Sequence, residues 1–116
     1  MKRVLLVEDE ILLSMVMEDS LGSLGYEVVT ASSLTAGLEH ARTLELDVAL
    51  LDVNLAGTLS YPIAVMLLGR NIPFVFASGY DELVLPEPMR NVPVLAKPFR
   101  THELDHALRL VMIPTP

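Results

Sequence analysis

Four stretches of the chain carry side chains able to do chemistry, and each follows an apolar run. Glu8, Asp9 and Glu10 come after residues 3–7, Asp52 after 47–51, Ser78 after 72–77, and Lys97 after 92–96. Carboxylates held together resist ionisation unless a cation compensates them. An oxygen-only donor set without His or Cys selects a hard ion, and a small cluster that leaves room for water and phosphate suits Mg²⁺. A carboxylate beside such an ion can attack phosphorus and form an acyl phosphate. Phosphoryl transfer asks mainly for in-line positioning and charge neutralisation. The metal would neutralise one side of the group and the Lys97 ammonium the other, while the Ser78 hydroxyl would donate to a third oxygen. All of this requires that the four stretches meet.

The elements that carry them alternate. Residues 3–7 read as a strand, and 10–24 as a helix with Leu13, Met17, Leu21 and Leu24 at helical spacing, ended by Gly25. Residues 26–30 form a second strand, and Ser32 or Ser33 caps a helix to Thr43 with Leu34, Leu38 and Ala41 facing inward. Residues 47–51 are nearly all apolar, as a strand buried on both faces is. Ser60 can cap a helix starting near Pro62 and running to Gly69. Strands follow at 72–77 and 92–96, and Thr101 is expected to cap the last helix. Between those strands Pro86 and Pro88 allow only a short or broken fourth helix. Such alternation implies an α/β fold, a parallel sheet with helices on both faces, whose ligands bind beyond the carboxyl ends of the strands. If the first and third strands are neighbours, Glu8, Asp9 and Asp52 converge. Asp47 begins its strand and falls at the opposite end.

Composition narrows the function classes. A length of 116 residues suits one domain, and 52% hydrophobic with 20% charged residues suits a globular core. The mean hydropathy of +0.48 is high, yet no apolar run approaches the roughly 20 residues of a membrane span. No signal-peptide pattern is present, so a cytoplasmic location is expected. The net charge of −7 speaks against binding nucleic acid or an anionic membrane. The absence of cysteine excludes disulfides, thiolate catalysis and Cys-based zinc sites. His40, His102 and His106 read as surface residues without metal-site company. The apolar excess at Leu12, Met15 and residues 110–113 has two readings, core or an interface, the latter with a partner or in a homodimer.

The runs VLLVEDE, ALLDVN, FVFASG and VLAKPF resemble the four signature segments of the response-regulator receiver domain, and the match spans essentially the whole chain. The resemblance implies a flavodoxin-like five-stranded parallel sheet in the order 2-1-3-4-5, with residues 1–116 forming one receiver domain and no output domain. It makes Asp52 the phosphoacceptor, Asp9 the principal Mg²⁺ ligand, Glu8 a second acid acting largely through water, and the Asn54 carbonyl a further ligand. Ser78 and Lys97 become the phosphate-sensing pair, and the Lys97–Pro98 bond is expected to be cis. Such domains receive phosphate from a histidine kinase or a histidine phosphotransfer protein and hydrolyse their own acyl phosphate.

Two departures from the family pattern stand out. The usual aromatic switch position is Val94 here, and Ser78 follows Asp52 by 26 positions, a few fewer than usual. The run PFVFASGY is similar to the FATGUY subgroup of receivers, which lacks the aromatic switch. Signalling is then expected through an order–disorder shift in residues 79–91. The alternatives are a degenerate receiver used as a phosphorylation-independent binding module, an aspartyl phosphatase, and a flavin or dinucleotide binder. The phosphatase would need a second acid at Asn54, and the nucleotide binder a glycine fingerprint after the first strand.

Overall fold

In the computed structural model of the chain, residues 1–79 and 85–113 are described. β1 (Arg3–Val7) leads into α1 (Ile11–Ser23), β2 (Glu27–Ala31), α2 (Leu34–Thr43) and β3 (Val48–Asp52). A small hairpin of β4 (Asn54–Leu55) and β5 (Thr58–Leu59) precedes α3 (Tyr61–Gly69) and β6 (Phe74–Ser78). A 3-10 turn at Glu87–Met89, β7 (Val94–Ala96) and α4 (Thr101–Met112) complete the order.

The main sheet is parallel throughout, in the order β2-β1-β3-β6-β7. With the hairpin strands set aside, this is the 2-1-3-4-5 arrangement that the family resemblance implies. Alternation along the strands divides the core in two. Leu5, Val7, Ala49, Leu51, Phe74 and Phe76 face α2 and α3, where Ala41, Ile63, Ala64 and Leu67 pack on them. Val4, Leu6, Val48, Leu50, Val75 and Ala77 face α1 and α4, against Met17, Leu21, Leu104, Ala107 and Leu108. On the first of these faces the Phe76 ring meets Phe74 and Tyr61 edge-on, at 5.5 and 5.9 Å between centroids.

Local chemistry sets the helix ends. After α1, Gly25 adopts φ 94, the Gly25 N–H donates to the Gly22 carbonyl and the Tyr26 N–H to that of Leu21. This Schellman closure is what the glycine allows. Ser33 caps α2 by accepting from the Ala36 N–H at 3.1 Å. Ser60 occupies the cap position of α3 but makes no side-chain capping bond. The expected cap of α4 is corrected: Arg100 holds that position, and Glu103 accepts its N–H at 2.9 Å. Thr101 is the first helical residue, and its hydroxyl reaches Ser20 Oγ of α1 at 3.3 Å instead.

Between β6 and β7 the described residues hold no α-helix, only the 3-10 turn, with its Met89 and the preceding Leu85 buried. The expectation of a short or broken fourth helix agrees with this for residues 85–91, and its remainder lies outside the described residues. Outward on α1, Ile11, Leu12, Met15 and Val16 are all more than half exposed. Four of the seven apolar side chains of that helix, Leu12 and Met15 among them, are therefore surface.

Candidate functional site

Register explains why the acids meet. Val7 of β1 lies beside Leu51 of β3, so Glu8 and Asp52 are the next residues along on neighbouring strands. Asp52 is opposite Ala77 and Ser78 is opposite Ala96, which brings Ser78 and Lys97 to the same rim. Carboxylate oxygens of Glu8, Asp9 and Asp52 lie within 4.8 Å of one another. Glu8 is 1% exposed, Asp52 7% and Ser78 2%, whereas Asp9 is half-buried.

Lys97 closes the cluster from the far side. Its Nζ donates to Glu8 Oε1 at 2.9 Å and lies 3.0 Å from Asp52 Oδ2. Burial on its own would lower the pKa of this ammonium; the hydrogen bonds to Glu8 and Asp52 and their charges outweigh it, so the pKa is raised above the ordinary lysine value. The Glu10 N–H donates to the other Glu8 oxygen at 3.2 Å, and the Asn54 N–H to Asp52 Oδ1 at 3.3 Å. The bond between Lys97 and Pro98 is cis.

The donor set suits a hard divalent ion. It is all oxygen, and three carboxylates against one ammonium leave two negative charges, the charge of one such cation. Every residue singled out in the sequence for this chemistry, Glu8, Asp9, Asp52, Asn54, Ser78 and Lys97, lies at this one rim. Asp47 lies at the other end of the sheet, where its Oδ2 accepts the Arg3 N–H at 2.7 Å. His102 and His106 are exposed, His40 is half-buried, and none joins a metal-holding cluster among the described residues. The sequence reading did not anticipate the hairpin after Asp52. Its one signal was Gly57 three residues beyond Asn54.

The family model of the response regulator receiver domain matches residues 4–109. This chain is a receiver domain. The receiver is similar to the solution structure of SdrG from Sphingomonas melonis Fr1, with 37% identity, a TM-score of 0.84, and coverage of 97% of this chain and 98% of that one. It is also similar to the receiver domain of a sensor histidine kinase from Pseudomonas aeruginosa PAO1, described with a magnesium ion coordinated in its active-site cleft. That match has 25% identity, a TM-score of 0.80, and coverage of 96% and 97% of the two chains. At 21% identity, TrrA of Thermotoga maritima shares the fold, with a TM-score of 0.85 and coverage of 96% and 99%. Comparison with curated proteins gave no match. Among the described residues of the receiver, no helix is long and apolar enough to cross a membrane.

Proposed function

We propose that this receiver is the phosphoacceptor of a histidine–aspartate phosphorelay and takes its phosphoryl group on Asp52. The observation that carries this reading is the double contact of Lys97 with Glu8 and Asp52 beside a three-carboxylate cluster. An Asp52 carboxylate oxygen attacks the phosphorus of a phosphohistidine as the P–N bond breaks. The imidazole nitrogen leaves with the electron pair and takes up a proton. Lys97 stands within reach of the phosphoryl oxygens at Asp52, and Ser78, at the end of the adjacent strand, offers its hydroxyl to another. Glu8, Asp9, Asp52 and the Asn54 carbonyl would hold Mg²⁺, which supplies charge neutralisation on the phosphoryl oxygens when bound.

Water later cleaves the acyl phosphate, so the domain turns over only its own phosphoryl group and is not an enzyme toward other substrates. The partner is a histidine kinase or a phosphotransfer protein. The exposed apolar residues Ile11, Leu12, Met15 and Val16 start just after the acidic rim and suit a donor that must bring its histidine there. Downstream, the phosphorylated form would bind a target protein or drain phosphate from the kinase. Val94 is 40% exposed on β7 and offers no aromatic switch, which supports membership of the FATGUY subgroup. An order–disorder shift in residues 79–91, part of which lies outside the described residues, is the corresponding signalling step. A cytoplasmic location accords with this role.

Incubation with acetyl phosphate and Mg²⁺, followed by intact-mass measurement, tests the reading. A gain of about 80 Da that needs Mg²⁺ and is lost in Asp52→Ala supports it. No gain in the unaltered protein would reject it and favour the binding-module alternative.

A further inference from the structure

The chain turns back on itself directly after Asp52, and the pairing there decides which way Asn54 faces. Asn54 pairs with Leu59 and Leu55 with Thr58, while the Ser60 N–H donates to the Val53 carbonyl at 2.9 Å. Hydrogen-bonded and non-hydrogen-bonded positions alternate along an antiparallel pair. Val53 and Ser60 occupy a hydrogen-bonded position, so Asn54 and Leu59 occupy the other kind. The main-chain N–H and C=O of Asn54 therefore turn away from β5. The N–H goes to Asp52 Oδ1 at 3.3 Å, and by the same alternation the carbonyl leaves the strand along that edge.

The turn that imposes this alternation is tight and strained. Ala56 at φ 53 and Gly57 at φ 93 are both left-handed, as a two-residue type I′ hairpin requires. An alanine is disfavoured there, and such strain persists where the surroundings over-determine it. Two features do so here. Asn54 Oδ1 accepts the Gly57 N–H at 2.6 Å, and Val53 and Leu55 anchor the first strand in the core.

We infer that the hairpin is an aiming device, in which the Asn54 side chain locks the turn so that its own carbonyl is presented to a cation held by Glu8, Asp9 and Asp52. The inference rests on the Mg²⁺ reading given above. Asn54, through its side chain, and Gly57, through its backbone, are then positioning residues. The Asn54 amide is committed to the turn and stays away from the phosphoryl group.

Mg²⁺ titrations followed by amide chemical shifts test this, on the unaltered protein, Asn54→Ala, Asn54→Ser, Gly57→Ala and Gly57→Asn. Metal affinity should fall about tenfold to a hundredfold in Asn54→Ala and Gly57→Ala, the usual cost of losing support for a ligand. Much of it should return in Asn54→Ser, which keeps an acceptor, and in Gly57→Asn, which tolerates left-handed backbone. Thermal midpoints without Mg²⁺ separate aiming from stability. Loss of stability with unchanged affinity would overturn the inference and leave the phosphoacceptor reading intact. Should Gly57→Ala fail to fold, the Asn54 pair decides. An unaltered protein that binds no Mg²⁺ would overturn the metal reading and the inference together, a result distinct from the first.

Discussion

The Lys97 N–H donates to the Ser78 carbonyl at 2.8 Å, one step beyond the register pair of Ser78 and Ala96. The two residues proposed to contact the phosphoryl group, one with a hydroxyl and one with an ammonium, are thus joined through main chain. A shift of either at the rim carries the other with it.

Replacing Lys97 by methionine leaves Glu8, 1% exposed, beside Asp52 with no counter-charge. Breaking such a pair costs about 3 kcal/mol or more, because a buried charge is left uncompensated. Lys97→Met should therefore lower the urea midpoint, and Mg²⁺ should recover more stability in the variant than in the unaltered protein. Equal recovery in both would contradict the charge argument.

The pH dependence follows from the raised pKa of Lys97, held up by Glu8 and Asp52 against the effect of burial. A pKa higher in the folded than in the unfolded chain means that the folded state holds the proton more tightly. The resulting stability is fully present below the unfolded lysine pKa and is lost as pH rises through the folded one. Denaturation midpoints should fall in the strongly alkaline range for the unaltered protein, and Lys97→Met should lack that component. Parallel profiles for the two would count against the linkage.

Two glycines should respond oppositely to alanine. A Cβ at Gly37 of α2 would stand 2.5 Å from Ile63 Cδ1 and 3.4 Å from both Val7 methyls. Crowding costs about 1–3 kcal/mol, offset by about 1 kcal/mol of helix propensity, so Gly37→Ala should be mildly destabilising. A Cβ at Gly22 of α1 meets nothing within 4 Å, and Gly22→Ala should stabilise by about 0.5 kcal/mol. Chemical denaturation of both variants checks the signs.

Arg70 ties the end of α3 to the end of α2. Its Nη1 donates to the Ala41 carbonyl at 2.6 Å and the Leu44 carbonyl at 2.8 Å. Arg70→Ala should cost about 1–2 kcal/mol, within the range of charged hydrogen bonds at a partly exposed site. Arg70→Lys should restore only part, since the rigid guanidinium fixes the directions of the two N–H bonds on Nη1 and a freely rotating ammonium does not. Urea midpoints of the two variants test this.

The strand ends and the acids beyond them were legible in the sequence because each apolar run stops at a charged or hydroxyl residue. A parallel sheet then brings those ends to one rim. Met17 and Leu21 are buried as their spacing predicts, and Leu13 and Leu24 partly so. The hairpin was not legible, because two-residue strands show no periodicity and Ala56 gives no sign of left-handed backbone. The α4 cap was misplaced for a different reason. The Thr101 hydroxyl had a competing partner in Ser20, which is close only in three dimensions. The outward face of α1 was ambiguous because Ile11, Leu12, Met15 and Val16 are as apolar as the residues that pack inward.

Every residue of β3, from Val48 to Asp52, is buried. The Asp52 carboxylate thus emerges from a strand wedged between two hydrophobic layers, with no solvated side to absorb a misfit. A change of volume beneath α2 and α3, or beneath α1 and α4, presses on the same five residues and, through them, on the placement of Asp52 beside Glu8 and Lys97. How well the interior packs thus bears directly on how the acids at the rim are set.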